Sequence, residues 1–379
     1  MAFVAVFVAG ATPIPLYDTY RTENGVTNVD LSLVAVCYFV CAIFGLLVLG
    51  RLSNHLGRKP VSMAAVAIAI LGCLVYLVVD EVAPLLVGRG LQGLAAGVAS
   101  SAIAAFVVDT GPAKHRWLVT SITSAGATVG LAIGAFGAGA LVDFAPLPRL
   151  LSYLAATVLL GIAFVLLATS TETVLRRPGV FASVRPRLGL PVTARPFVPA
   201  AFSVFIATWA YGGYFQAFGP SVAADYLHSS SALVAAAIFA SWMAPGVFGG
   251  PIADRMRPAT ALRISMIVVL IAAAGLVGAI FAGSAVLFVS FGVLGGLGMG
   301  IGTAGAMRSL LPAAAPSERA GLLSLIYAAS YLGGAIPALI AGQLSQVIDL
   351  FTITAGYAAI AVAAFVIVMT TARNPPEVR

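Results

Sequence analysis

Runs of about 20 apolar residues recur from one end of this 379-residue chain to the other, and each is long enough to cross a hydrocarbon layer roughly 30 Å thick as a helix rising about 1.5 Å per residue. They fall at residues 1–19, 31–50, 61–79, 83–108, 117–142, 149–169, 197–219, 231–250, 259–282, 284–310, 320–346 and 350–372, twelve spans in all. None has the two-residue alternation of polar and apolar side chains that a membrane barrel needs, so the predicted fold is all-α. Charged residues make up only 9% of the chain against about 25% in soluble domains, so most of it does not face water.

The connections are short except for "STETVLRRPGVFASVRPRLGLPVTARP", residues 170–196, which is Arg- and Pro-rich and has no membrane-length apolar run. This divides the chain into an N-terminal six-helix bundle over 1–170, a linker over 171–196 and a C-terminal six-helix bundle over 197–379. The first span begins at Met1 without a basic lead, which reads as a trimmed or mis-started N-terminus rather than as a signal peptide. Cys37, Cys41 and Cys73 lie inside apolar runs and read as packing residues, neither disulfide partners nor metal ligands.

Charge sets the orientation. With residue 1 inside, 17 of the 20 Lys and Arg fall in cytoplasmic connections or termini, Arg21 and Arg149 lie opposite, and Arg89 lies within a span. The positive-inside rule then puts both termini in the cytoplasm of a multi-pass protein of the inner (plasma) membrane. The other face carries Asp18, Glu23, Asp30, Asp80, Glu81, Asp143, Asp225 and Asp349. The net charge of +7 therefore reports topology, and no nucleic-acid partner is expected.

The chain also repeats itself. A shift of 203 residues aligns Gly93 with Gly296, Gly97 with Gly300, Arg116 with Arg319, Gly130 with Gly333 and Gly139 with Gly342; a shift of 200 places Gly50 on Gly250 and Asn54 on Asp254. Two six-helix halves of common origin, related in parallel, follow from this, and such halves are a recurrent transporter architecture.

Four of the twelve residues in "GRLSNHLGRKPV", 50–61, are basic if His55 is counted. The stretch connects the second and third spans, and Gly50, Ser53, Gly57, Arg58 and Lys59 resemble the signature loop of the major facilitator superfamily. Asn54 stands where that family usually has Asp, although the second copy keeps Asp254 in "GGPIADRMR". "RGLQGLAAG" (Arg89, Gln92, Gly93, Gly97) resembles the family's span-4 motif, and "DTGPAKHR" (Asp109, Pro112, Arg116) the connection after it. "GATVGLAIGAFGAGA" in span 5 is similar to the glycine-rich motif of the drug:proton antiporter branch, with Ala135 in place of the usual Pro. The resemblance implies twelve helices in two pseudo-symmetric bundles that rock about a midplane site. It also implies a cytoplasmic gate built from Gly50, Asn54, Gly57, Arg58, Asp109, Arg116, Asp254 and Arg319. Arg58 can reach an acid at a neighbouring helix end, for which Asp109 is the candidate, while Asn54 keeps an acceptor for a helix N-terminus without the charge.

Arg89 is the basic residue well inside a span, where a charge costs at least about 2.5 kcal/mol and needs a partner or a watery cavity. Gln92 lies one turn on, and the resemblance puts helices 1, 4, 7 and 10 around the cavity. Asp18, beyond the helix-breaking Pro13 and Pro15, is the candidate partner and proton carrier. Two plainer alternatives stay open: Arg89 snorkelling outward, and Asp18 solvated at the mouth of helix 1. In span 7, Trp209, Tyr211, Tyr214 and Gln216 surround Gly212 and Gly213 and suit the wall of a site for an aromatic or amphipathic substrate, or else serve as interfacial anchors. "GRGLQG" at 88–93 and "GIGTAG" at 300–305 match a dinucleotide pattern only in letters, since neither follows a strand. With no nucleotide, metal or hydrolase constellation in the sequence, the expectation is a non-enzymatic, monomeric secondary transporter without cofactors. An ion gradient would drive it, and proton-coupled multidrug efflux is the leading reading; uptake or facilitated transport of a small metabolite is the alternative.

Overall fold

The computed structural model describes residues 1–111, 114, 116–186 and 188–375, apart from the side chains of residues 116, 117 and 182. Among them, twelve helices are long and apolar enough to cross a membrane: α1 Ala2–Asn24, α2 Asn28–Leu56, α3 Arg58–Val78, α4 Val82–Thr110, α5 Leu118–Phe144, α6 Pro148–Thr169, α7 Val192–Ala217, α8 Ala232–Ala253, α9 Pro258–Phe281, α10 Ala285–Leu310, α11 Arg319–Leu344 and α12 Leu350–Thr371. Their ends carry ordinary chemistry. Gly25, at φ 65°, closes α1. Thr27 and Asp30 then form a reciprocal capping box at the start of α2, and the Asp349 carboxylate caps α12 through the Thr352 amide at 2.9 Å.

The chain forms two compact units, one of Met1–Pro186 with Ser231–Ala240, the other of Arg187–Ser230 with Ser241 onward. The first turns of α8 belong to the first unit for a specific reason. Asp143, at the end of α5, accepts from the Ser231 hydroxyl at 2.5 Å and from the amides of Ala232 at 2.8 Å and Leu233 at 3.1 Å, satisfying donors that a helix start leaves open. Gly139 lets α5 approach the same turn closely.

Within the first unit α1 packs on α4, α5 and α6, α2 on α4, and α3 on α4 and α6; within the second, α7 packs on α10, α11 and α12, α8 on α10, and α9 on α10 and α12. These are the same pairs six helices later, so the repeat read from glycine positions is also a repeat of contacts. The glycines explain how. A Cβ on Gly93 would strike the Tyr38 carbonyl of α2, and one on Gly97 the Ala42 carbonyl; Gly296 and Gly300 stand against Trp242 and Gly246 of α8 in the same way. Lipid gives helices no hydrophobic reason to associate, so close backbone approach at small residues supplies the attraction.

The Gly50–Gly250 pair of the sequence alignment does not repeat a contact: a Cβ on Gly50 would strike the Ser101 side chain, whereas one on Gly250 would meet nothing within 4 Å. Gly249, against Gly300 and Ile301, stands as Gly45 does against Gly97 and Val98. The basic stretch also differs: Gly50–Leu56 is helical to the end of α2, α3 starts at Arg58, and the reversal falls on Gly57 alone, at φ 106° and ψ 150°.

Candidate functional site

Pro13 has no N–H, so the Ala9 carbonyl one turn earlier loses its helical donor and α1 breaks into helices Ala2–Ala11 and Tyr17–Asn24 joined by a 3₁₀ turn. Two side chains of α4 fill the gap. Gln92 Nε2 donates to the Ala9 carbonyl at 2.7 Å, and Arg89 Nη1 donates to the Gly10 carbonyl at 2.5 Å. Gln92 Oε1 in turn accepts from Arg89 Nη1 at 3.3 Å and from the Tyr76 hydroxyl at 3.2 Å. The i, i+3 spacing puts both side chains on one face of α4.

Arg89 is fully buried, with no exposure at all. Its guanidinium lies 4.7 Å from the Tyr38 ring centre and 5.9 Å from that of Tyr17. Tyr76 stacks on Tyr153 at 4.8 Å, and Tyr153 shares a 2.8 Å hydroxyl contact with Tyr20. The expected partner is elsewhere. Asp18 is paired with Arg21 at 3.2 Å and its side chain is 27% exposed, so the proposed Asp18–Arg89 pair does not form. The 3₁₀ turn carries Asp18 beyond the break, while Arg89 turns inward to the Gly10 carbonyl at the break. For the same reason Arg89 does not snorkel. No carboxylate among the described residues pairs with it, and its Nε and Nη2, like the Tyr17 hydroxyl, are buried without a protein hydrogen-bond partner.

The aromatic residues of α7 form a second cluster inside the other unit. Tyr211 stacks on Trp242 at 4.8 Å, Phe215 lies 5.2 Å from the same indole, and the Tyr214 hydroxyl meets Thr354 Oγ1 at 2.6 Å. Trp209 packs edge-on against Tyr331 at 4.8 Å. Tyr211 and Tyr214 are thus core residues, buried to 1% and 0% exposure, and do not line an open wall. The Tyr211 hydroxyl and Gln216 Nε2 nevertheless lack protein partners.

At the turn between α2 and α3, Arg58 Nε donates to Asp109 Oδ2 at 3.1 Å, and Nη1 donates to Ser53 Oγ and Asn54 Oδ1, each at 2.7 Å. Asn54 therefore accepts from Arg58 rather than capping a neighbouring helix. Arg116 opens the helix leading into α5, and its side chain lies outside the described residues. The second copy reverses the polarity. There Arg308, on α10, donates to the carbonyls of Ala253 at 2.5 Å and Met256 at 3.0 Å and sits 3.7 Å from Asp254, while Arg319 bonds the Ala314 carbonyl at 3.3 Å.

Sequence reasoning missed Glu172. Its carboxylate accepts from the amides of Arg58 at 2.9 Å and Lys59 at 3.1 Å, the first donors of α3, and from those of Thr173 at 2.8 Å and Val174 at 3.0 Å. Lys59 Nζ reaches the Ala168 carbonyl at 2.6 Å, and His55 contacts the Pro178 carbonyl at 3.0 Å, so the end of α6 and the linker clasp the turn. The available signal was that Glu172 is the linker's one acid among its arginines. Partial burial pushes the Glu172 carboxyl up, but the amides of Val174, Arg58, Thr173 and Lys59 outweigh it and hold the group below its usual value. A depressed folded value means that this cap is complete above about pH 4.3 and is lost as pH falls below it. Amide protection at Arg58 and Lys59 is expected to drop over that range, and Glu172→Gln to lower it at neutral pH; pH-independent protection factors would refute the assignment.

Twelve membrane-length helices, paired alike in two units and each unit with its own buried polar and aromatic cluster, define a multi-pass membrane protein. The sequence matches the profile of the Major Facilitator Superfamily over residues 1–291, and the chain belongs to that family. It is 26% identical over 115 residues to D-xylose-proton symporter-like 2 of Arabidopsis thaliana, covering 30% of this chain and 23% of that protein. It is 29% identical over 100 residues to multidrug resistance protein MdtL of Klebsiella pneumoniae, 26% of each chain. It is also 26% identical over 259 residues to an uncharacterized MFS-type transporter of Mycobacterium tuberculosis, 66% of this chain and 36% of that one. The matched regions thus span between about a quarter and a third of these relatives' lengths. The crystal structure of a D-xylose-proton symporter superposes at a TM-score of 0.76 and 15% identity, covering 99% of this chain and 97% of that chain, a likeness of fold.

Proposed function

We propose that the chain is a secondary transporter that carries a small organic molecule by alternating access, in the export direction and against a proton gradient, with both termini cytoplasmic. The observation that carries this reading is the polar cluster at the α1 break: a buried cation at membrane depth, only part of whose hydrogen bonding is used by the fold, is a functional feature by default in such a protein. The clasp formed by Arg58, Asp109, Asn54 and Glu172 has the chemistry of a gate, because its ion pair and helix cap can open without breaking a helix. Arg308, Asp254 and Arg319 are the corresponding elements of the second copy. The glycine-rich α5 and the likeness to MdtL support export.

The test is flux of candidate compounds in proteoliposomes under an imposed pH gradient; absence of gradient-driven flux across compound classes would remove the reading. Asp18 is not the proton carrier on this account, since it is paired with Arg21 and partly exposed. Asp18→Asn is expected to leave pH-driven flux within about twofold of wild type, in keeping with the small worth of exposed pairs; loss of driven flux with passive exchange retained would restore Asp18 to that role. Uptake of a small metabolite is the second reading, favoured by the likeness to the D-xylose-proton symporter-like protein. An exporter lowers dye accumulation on overexpression, and an importer raises uptake of a labelled nutrient.

A further inference from the structure

We infer that the α1 break is a receptor for the carboxylate of a small organic acid, held by the Nε–Nη2 edge of Arg89 with help from the Tyr17 hydroxyl. The inference rests on the transport reading only for how a ligand reaches a buried site.

The guanidinium divides into two parts. Nη1 serves the fold, bonding the Gly10 carbonyl and Gln92 Oε1. Nε and Nη2 have no protein partner although the residue is fully buried. On a guanidinium, the Nε–H and the near N–H of Nη2 are parallel and face one edge, and that spacing matches the two oxygens of a carboxylate. The idle atoms thus form one complete fork, whereas two idle hydrogens on different edges would have no single ligand in common. The Tyr17 hydroxyl, whose ring lies 5.9 Å from the guanidinium carbon, is buried beside Arg89 without a hydrogen bond of normal geometry, and its proton is a further donor for the same ligand.

Charge points the same way. A buried guanidinium is stable only when its charge is compensated, and the described residues offer Arg89 no carboxylate. Tyrosine faces and carbonyls soften the charge without cancelling it. An arriving anion completes the balance, whereas a cation at the same place is repelled. The rings of Tyr17, Tyr38, Tyr76 and Tyr153 around it favour a ligand with an apolar or aromatic body.

The test uses the purified full-length protein in detergent with two acids, benzoate and hexanoate, their neutral amides, and benzylamine. Thermal unfolding is followed by intrinsic fluorescence. The expected result is a concentration-dependent rise in Tm with an acid and none with its amide or with the amine. Tyr17→Phe removes a hydroxyl that makes no hydrogen bond of normal geometry in the protein, so it should change Tm without ligand by no more than a few degrees and weaken acid binding about tenfold, the effect of one hydrogen bond to a charged group. Arg89→Lys keeps the charge, loses the fork and should weaken binding at least as much. Equal responses to acid and amide, or wild-type acid binding in both variants, would overturn the inference. So would the absence of any response to either acid; if gradient-driven flux of another compound persists in that case, the transport reading survives alone. Acid binding that needs Arg89 in a protein without flux would instead sustain the receptor and remove the transport reading.

Discussion

Arg89→Met is expected to abolish transport while leaving the protein folded and nearly as heat-stable as the parent. The two halves of this result have different origins. Methionine fills a similar length beside the rings of Tyr38 and Tyr17 and removes a cation whose burial costs several kcal/mol. Against this, the Gly10 carbonyl and Gln92 Oε1 lose a donor, at about 1–3 kcal/mol for an acceptor left unpaired. The terms nearly cancel, so Tm should move by only a few degrees. Transport has no such compensation. A two-point charged contact to substrate contributes roughly 3 kcal/mol, about 100-fold in binding, and flux should fall at least that far. Flux in proteoliposomes beside Tm in detergent separates the two. A large Tm loss with normal flux per folded molecule would make Arg89 a structural cap and nothing more.

Gly57→Ala should produce the largest loss at the α2–α3 turn. At φ 106° and ψ 150°, Gly57 occupies a region almost closed to residues with a Cβ, at about 1–3 kcal/mol for a forced occupant. The new methyl would also drive into the Glu172 carboxylate, which holds the first amides of α3. The cap and the Arg58–Asp109 pair should loosen together, seen as increased trypsin cleavage after Arg58 and loss of amide protection at Arg58 and Lys59. Adding Glu172→Ala relieves the collision and leaves the dihedral cost. The double variant should therefore be less destabilised than the sum of the two single ones, and additivity would show that the carboxylate and the glycine are independent.

Residues whose role is set by their own helix were readable from sequence. The proline pair had to break α1, and Arg89 and Gln92 had to share a face of α4. Spatial partners were less readable. Asp18 looked like the counter-ion for Arg89 because both lie in the outer halves of their helices. The carbonyls of Ala9 and Gly10 at the helix break, invisible as letters, accept from the α4 side chains instead, and Arg21, three residues on, took the carboxylate. The aromatic residues of α7 looked like a cavity wall, yet Tyr211 and Tyr214 pack against Trp242 and Tyr357 from helices 31 or more residues away. Glu172 escaped because its partners, 113 and 114 residues earlier, are backbone amides, and an amide leaves no trace in composition.

The sequence by itself determined the twelve spans, their helical form and the twofold repetition, because the bilayer requires about 20 apolar residues per crossing and forbids unpaired backbone within it. Only the tertiary structure decided which polar atoms meet. It gave the Ala9 and Gly10 carbonyls to Gln92 and Arg89, placed Glu172 on α3 and Asp143 on α8, and left one edge of the Arg89 guanidinium without a partner. Hydrophobicity accumulates along a chain and can be read there, whereas a hydrogen bond is settled within about 3 Å, a distance that exists only after the helices have packed.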